Sequence, residues 1–149
     1  MNTREPITIL MADDDPEDVM LAEEALEEAR LANHFYSVGD GEELLQYLRR
    51  QGKFSDPDSS PRPGLILLDL NMPRKNGLEA LEEIKSDADL RRIPVVVLTT
   101  SRAEEDVYKS YDLGVNSFIS KPVSFDGLVE AMKVLGRYWF EIVARPEEE

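Results

Sequence analysis

The sequence predicts an α/β protein with a five-stranded parallel sheet and helices on both faces of that sheet. Five short apolar runs alternate with five helical patterns along the chain. Two of the runs, LILLDL (65–70) and VVVLTT (95–100), are almost continuously aliphatic, which is typical of strands that are covered on both faces. Because strand and helix alternate strictly, each strand is expected to reach the next through a helical crossover, which makes the strands parallel.

The predicted strands are short and follow one another at helix-sized intervals. Each run is rich in β-branched, aliphatic or aromatic residues, as strands usually are. In chain order they are ITILMA (7–12), HFYSV (34–38), LILLDL (65–70), VVVLTT (95–100) and SFIS (117–120).

The predicted helices begin at recognisable start signals. The first has Asp15 as N-cap and Pro16 at its first position, followed by acidic residues in the first turn, and this combination favours a helix start. Apolar residues then recur every three or four positions, as on one face of a helix. The other helices are predicted to start near Asp40, Asn76, Ala103 and Phe125.

A single domain is expected to span residues 1–149, with its core at about 6–143. The segment GKFSDPDSSPRPG (52–64) is rich in Gly, Pro, Ser and Asp. This composition predicts an exposed loop before the third strand, at the edge of the sheet opposite the expected functional site. The acidic tail, residues 145–149, is expected to be flexible. Gly39, Gly52 and Gly114 lie where helices or strands are expected to end.

Composition excludes several classes of function. The formal net charge is −14, which argues against direct binding to nucleic acid or to an anionic membrane surface. The chain has no Cys and a single His, so a disulfide framework and a zinc site are not expected. The N-terminus lacks the layout of a signal peptide, and no apolar run is long enough to cross a bilayer. These features favour a soluble, cytoplasmic protein.

Four of the predicted strands end in polar residues of complementary chemistry. Asp13 and Asp14 follow the first strand, Asp69 lies near the end of the third, Thr99 lies near the end of the fourth and Lys121 follows the fifth. The carboxyl ends of parallel strands share one edge of a sheet, and ligands bind there. Clustered carboxylates repel one another, and a hard cation with oxygen ligands such as Mg²⁺ relieves that repulsion. An Asp surrounded by Mg²⁺, an ammonium and a hydroxyl is suited to accept a phosphoryl group.

These residues resemble the receiver domain of two-component response regulators. The resemblance covers nearly the whole chain and depends on the combination of acidic pair, Asp69, Thr99 and the pair Lys121-Pro122 at their spacing. The phrases DLNMPRKNG and IPVVVLTTS, with the long loop before the third strand, are most similar to stand-alone regulators associated with bacterial and cyanobacterial phytochromes. The resemblance implies a flavodoxin-like fold with strand order 2-1-3-4-5.

The resemblance also implies a role for each site residue. Asp69 is the expected phosphoacceptor, and Mg²⁺ is the expected cofactor. Asp14 is expected to bind the metal directly, Asp13 through water, and Asn71 through its backbone carbonyl. The metal ligands implied are therefore Asp13, Asp14, Asp69 and Asn71.

The remaining roles concern the phosphoryl group and the response to it. Thr99 is expected to hydrogen-bond the phosphoryl oxygens and Lys121 to pair with them. Phe118 is expected to act as a switch residue together with Thr99, and Pro122 is expected to follow a cis peptide bond. Positions that adjust dephosphorylation in the family correspond to Asn71 and Ser101.

The implied partner is a sensor histidine kinase of the phytochrome type. No output domain is expected, so the protein is predicted to signal through protein contacts and to catalyse nothing beyond its own phosphorylation and dephosphorylation. Aromatic and apolar residues at the end of the last helix, Tyr138, Phe140 and Val143, exceed what one face can bury and favour a homodimer through the predicted fourth and fifth helices.

Two alternatives remain open from the sequence. A Mg²⁺-dependent phosphohydrolase of the haloacid dehalogenase type also uses a nucleophilic Asp after a strand, but it needs a second acid where this chain has Asn71. A pseudo-receiver that is never phosphorylated is the other alternative; such proteins usually lack an acid or the Lys, and this chain lacks neither.

Overall fold

A computed structural model describes residues 8–29, 34–69, 72, 77–99, 117–120 and 124–138. Five strands form one parallel sheet in the order β2-β1-β3-β4-β5. The predicted fold class and strand order are therefore confirmed. The strands are β1 (Thr8–Ala12), β2 (His34–Val38), β3 (Leu65–Leu68), β4 (Val95–Thr99) and β5 (Ser117–Ser120).

Helices follow the strands as predicted wherever the structure describes them. They are α1 (Pro16–Glu28), α2 (Gly41–Leu48), α3 (Gly77–Ser86) and a last helix, Phe125–Tyr138. Two single-turn 3₁₀ helices are added at Gly52–Phe54 and Leu90–Arg92. The helix predicted to start near Ala103 and the tail 145–149 lie outside the described residues.

The core has two halves, one on each face of the sheet. Successive side chains of a strand point to opposite faces, so Leu10 and Ala12 pack with α2 and α3 while Ile9 and Met11 pack with α1 and the last helix. Every residue of β3 is buried, with at most 1% of its surface exposed. Helices on both faces therefore explain why this strand is continuously aliphatic.

The third strand ends earlier than the sequence predicted. The apolar run suggested a strand to residue 70, but β3 ends at Leu68. The N–H of Asp69 donates to the carbonyl of Ala12 at 3.0 Å, so the backbone stays beside β1 for one more residue. Met72 is the next described residue and is buried in the half of the core that includes α3.

The end of α2 also differs from the prediction, because Gly52 is not the residue that terminates it. The N–H of Gln51 donates to the carbonyl of Gln46 at 2.9 Å, and the N–H of Arg50 donates to that of Tyr47 at 3.1 Å. This is the bonding of a Schellman motif. Arg50 holds the left-handed position with φ 56°, while Gly52, with φ 60°, lies in the following 3₁₀ turn.

The segment 52–64 is largely exposed, but two of its residues are buried. Ser60 and Pro63 are buried, and the Tyr47 hydroxyl donates to the carbonyl of Pro61 at 2.8 Å. The segment leads to the amino end of β3, where the N–H of Gly64 donates to the carbonyl of Thr8 at 2.8 Å. It therefore lies against the sheet edge opposite the predicted site.

The last helix packs on the sheet through one face. Met132 is fully buried, Val129 is buried, and Leu128 packs partly buried against the same half of the core. Phe125 is 38% exposed and Val134 is 52% exposed on the same helix.

Among the described residues, no helix is long and apolar enough to span a membrane.

Candidate functional site

The acidic pair after β1 is positioned by the sheet itself. The N–H of Asp13 donates to the carbonyl of Val38 at 3.0 Å, which extends the pairing of β1 with β2 by one residue. Asp13 is buried, with 3% of its surface exposed, whereas Asp14 is exposed. The two neighbouring carboxylates thus combine a fixed, buried group with one that solvent can reach.

The three acids of the sequence DDD have different structural roles. Asp13 Oδ1 accepts the N–H of Asp15 at 3.0 Å, which orients the Asp13 side chain. Asp15 Oδ1 accepts the N–H of Glu17 at 2.9 Å and so caps α1, as predicted. The amino end of α1 begins directly after the pair, and the partial positive charge there favours nearby carboxylates.

Asp69 lies beside this pair because β3 is the neighbour of β1 in the sheet. The Asp69 N–H is bonded to the carbonyl of Ala12, the residue before Asp13, and Asp69 is 7% exposed. One carboxylate oxygen from each of Asp13, Asp14 and Asp69 lies within 4.8 Å of the others. The prediction that the carboxyl ends of the strands bring these three acids together is confirmed by this geometry.

The donor set of this acidic cluster, Asp13, Asp14 and Asp69, fits a hard divalent cation. All three ligand candidates offer carboxylate oxygen, and no nitrogen or sulfur donor belongs to the group. Oxygen-only sites suit Mg²⁺, Ca²⁺ or Mn²⁺ rather than softer metals. A cation placed between the three oxygens would offset their mutual repulsion, which is strongest for the two buried groups.

The other predicted site residues are described in part or not at all. The backbone of Thr99 ends β4 and pairs in register with Ser120, the residue before Lys121. The backbone of Phe118 pairs with Val97 in the middle of the same two strands. Four predicted site residues lie outside the described residues: Asn71, Ser101, Lys121 and Pro122.

A third buried carboxylate, besides Asp13 and Asp69, lies at the same sheet edge, and its sequence context indicated only a helix start. Asp40 is 4% exposed, and its Oδ1 accepts the N–H of Glu43 at 2.7 Å. Glu43 Oε1 in turn accepts the N–H of Gly39 at 2.7 Å. These reciprocal bonds resemble a capping box, so Asp40 stabilises the start of α2 and is not one of the three clustered acids.

Residues 9–133 match the family described as the response regulator receiver domain. The chain belongs to the response regulator receiver family. The family match and the acidic cluster agree, because the matched region contains both the acidic pair and Asp69. Neither the phosphohydrolase nor the pseudo-receiver alternative is favoured by this membership.

Several relatives of this receiver are phytochrome response regulators. This chain is 41% identical over 141 residues to the response regulator Rcp1 of Synechocystis sp., and the alignment covers 95% of this chain and 94% of that protein. The structure of the phosphorylated cyanobacterial phytochrome response regulator RcpA superposes with a TM-score of 0.83 at 42% identity, over 92% of this chain and 96% of that one. The Mn²⁺-bound form of Rcp1 gives a TM-score of 0.81 at 41% identity, over 93% and 97%.

Membership of this family defines the general class of activity. Receivers of the Rcp1 type are signalling proteins rather than classical enzymes, and the family implies a histidine kinase as partner. The acidic cluster of this receiver lies at the carboxyl edge of the sheet.

Proposed function

We propose that Asp69 of this receiver accepts a phosphoryl group from a histidine of a sensor kinase. The observation that carries the proposal is the acidic cluster, in which three carboxylate oxygens lie within 4.8 Å of one another at the ends of two adjacent strands. In the transfer, an Asp69 oxygen bonds to phosphorus while the bond from phosphorus to the histidine nitrogen breaks. The product is an acyl phosphate on Asp69 and a free histidine on the kinase.

The metal of the proposed site is Mg²⁺, held by Asp13, Asp14 and Asp69 with the backbone carbonyl of Asn71. Its oxygen-only donor set and the burial of two of its three acids support this assignment. When bound, Mg²⁺ supplies positive charge that offsets the negative charge of the carboxylates and of the phosphoryl oxygens. Asp13 keeps its orientation through the bond from the Asp15 N–H.

Thr99 and Lys121 complete the proposed phosphoryl site. The Thr99 hydroxyl donates to a phosphoryl oxygen, and the Lys121 ammonium pairs with the phosphoryl group. The register of the sheet supports this, because β4 lies next to β3, and Ser120, which precedes Lys121, pairs with Thr99. Thr99 therefore ends the strand beside β3, and its partner Ser120 ends β5.

The response to phosphorylation is proposed to involve Thr99 and Phe118. Movement of Thr99 toward the phosphoryl group leaves room for the Phe118 ring to turn inward, which changes the surface around β5. The remaining assignments are a cis peptide before Pro122, and Asn71 and Ser101 as positions that adjust the rate of the receiver's own dephosphorylation.

The partner proposed for this receiver is a phytochrome-type histidine kinase in the cytoplasm. The support is the identity to Rcp1 and the likeness to RcpA. Its output passes through protein contacts, including a homodimer through the predicted fourth and fifth helices. The 52% exposure of Val134 on the last helix leaves an apolar side chain available for such a contact.

The test is intact-protein mass spectrometry after incubation with acetyl phosphate, with and without Mg²⁺. Wild-type protein is expected to gain one phosphoryl group only with Mg²⁺, and Asp69→Asn is expected to gain none. Asp15→Asn is the matched control, because Asp15 is a neighbouring acid that caps α1 and lies outside the acidic cluster. No gain in the wild type, or an equal gain in Asp69→Asn, would overturn the proposal.

A further inference from the structure

A cavity of about 550 Å³ opens at the opposite edge of the sheet from the acidic cluster. Its lining comes from the end of α2, the segment before β3 and the turn after α3. Leu90 and Ile93 contribute buried apolar surface. We call it the arginine cavity, because Arg49, Arg50 and Arg62 are in its lining. The four residues of β3 separate it from Asp69 by roughly 13 Å, at about 3.3 Å per residue.

Three arginines line the arginine cavity in a chain whose net charge is −14. Arg49 Nη2 lies 3.2 Å from Glu83 Oε1, and Arg62 Nη1 lies 2.9 Å from Asp89 Oδ2. All four of these side chains are at least one-third exposed. Pairs this exposed contribute little to stability, so both guanidiniums can exchange their partners for a bound anion.

Arg50 is the third arginine, and within the part of the chain that the structure describes it forms no ion pair. Its backbone has φ 56° at the left-handed position of the Schellman motif. Glycine is the usual residue there, since side chains destabilise this conformation. A non-glycine residue kept in such a conformation suggests that its side chain has a function, and Arg50 is one of the residues that line the cavity.

The two acids of the lining, Asp87 and Asp89, do not neutralise all of its positive charge. Asp87 Oδ1 accepts the N–H groups of Asp89 and Leu90 at 2.8 and 3.0 Å, and these bonds hold the pKa of Asp87 below its usual range. The carboxylate of Asp89 is already paired with Arg62. Arg50 therefore supplies a positive charge that neither acid neutralises.

We infer that the arginine cavity binds a small organic anion. A phosphate or carboxylate group of that anion pairs with the Arg50 guanidinium, with Arg49 and Arg62 beside it, and the rest of the molecule contacts Leu90 and Ile93. Guanidinium groups match both oxyanions through paired hydrogen bonds. The volume falls within the range of about 300–1,000 Å³ that is typical of small-molecule sites.

The test is a titration of ¹⁵N-labelled protein, followed by NMR without divalent metal, with AMP and citrate as separate probes. AMP presents a phosphate and citrate presents carboxylates, so the two arms distinguish the kinds of oxyanion. Saturable shifts are expected at Arg50, Arg62 and Ile93 with at least one probe. The same shifts are expected in Asp69→Asn, so this result does not depend on the phosphoacceptor proposal.

Arg50→Gly separates binding from folding. It is expected to weaken binding at least tenfold while raising the unfolding temperature by about 2–4 °C, since glycine suits the left-handed position. Arg92→Ala is the matched control, because it removes an equal charge from an exposed arginine outside the lining. The inference is wrong if neither probe gives saturable shifts at these residues, or if Arg50→Gly binds as tightly as the control.

Discussion

At the scale of single residues, Asp69 illustrates how a carboxylate can end a buried strand. The strand before it is almost fully buried, and Asp69 itself is only 7% exposed. Removing an ionised carboxylate from water costs several kcal/mol unless it is compensated. Asp13 and Asp14 add two further negative charges within 4.8 Å. The arrangement is most stable when a positive charge occupies the space between the three oxygens.

Asp13→Asn is expected to remove most of the stabilisation that Mg²⁺ gives the wild type. Linkage predicts that Mg²⁺ at about 100 times its Kd raises the wild-type unfolding temperature by roughly 5–10 °C. The Asn amide oxygen still accepts the N–H of Asp15, so the metal-free variant should fold normally. Thermal unfolding followed by circular dichroism, with and without Mg²⁺, measures the difference.

Asp15→Asn is the control for this comparison. Asparagine caps helices as well as aspartate does, and Asp15 lies outside the acidic cluster, so the Mg²⁺-dependent increase should persist. An Asp13→Asn variant that gained as much stability from Mg²⁺ as the wild type would show that Asp13 does not contribute to the metal site.

At the scale of elements, hydrophobic periodicity predicted the sheet better than it predicted where the elements end. The ranges of β2 and β5 agree with the apolar runs 34–38 and 117–120. The strand predicted over 65–70 is longer than β3. Asp69 keeps a backbone hydrogen bond to β1 after pairing with β4 has ended. An apolar run indicates which residues are buried, and the buried residues extend beyond the last residue of the regular strand.

The end of α2 could not be predicted because its sequence signal is missing. A helix stop is usually indicated by Gly at the left-handed position, and the nearest glycine is Gly52. The position is occupied by Arg50, so only the backbone bonds of the Schellman motif reveal it. The acidic cluster was predictable for the opposite reason, since the topology of a parallel sheet brings strand ends together whatever their sequence separation.

Tyr47 helps to join α2 to the segment before β3, because its hydroxyl donates to the carbonyl of Pro61 at 2.8 Å. Tyr47→Phe is expected to destabilise the protein at pH 7 by about 1 kcal/mol, because the carbonyl of Pro61 loses its donor. Urea unfolding at pH 7 measures this loss. The Tyr47 ring also contacts Phe54, with centroids 5.2 Å apart, and this contact is retained in the variant.

The same variant has a distinctive pH dependence. Burial, with a smaller contribution from Tyr36, raises the pKa of Tyr47 to about 12, while an unfolded tyrosine titrates near pH 10, at about its reference value. Between these values only the unfolded state loses the proton, so wild-type stability should fall as pH rises from about 10 to 12. Tyr47→Phe lacks this loss, so its deficit should shrink above pH 10.

Tyr36→Phe is the matched control for the pH measurement, because it removes a phenol hydroxyl from the ring packed against Tyr47. This control should keep the decline in stability that Tyr47 causes. If Tyr47→Phe declined with pH as steeply as Tyr36→Phe, the buried Tyr47 hydroxyl would not be the group responsible.

At the scale of the whole molecule, the sequence predicted the acidic cluster at one edge of the sheet but not the arginine cavity at the opposite edge. The alternation of strands and helices was enough to place the acidic cluster. The arginine cavity is built from three segments that no periodic pattern connects: the end of α2, the segment before β3 and the turn after α3. Its one local signal, a strained Arg50, exists only in the backbone.

The two halves of the core share the sheet and are expected to contribute to stability independently. Ile9 packs with α1 and the last helix, whereas Ile84 and Ile66 belong to the half that contains α2 and α3. Ile9→Val and Ile84→Val should each cost about 0.5–1.5 kcal/mol. Because the two positions lie in different halves of the core, on opposite faces of the sheet, the double variant should cost their sum within about 0.5 kcal/mol.

The pair Ile66→Val and Ile84→Val lies within one half of the core and provides the comparison. Residues that share neighbours depart from additivity, because the packing around one site relaxes when the other changes. Urea unfolding of the four-member cycle for each pair gives the two coupling energies. We expect a single transition in every variant and a larger coupling within one half than across the sheet. Equal couplings would mean that the sheet transmits packing changes from one face to the other.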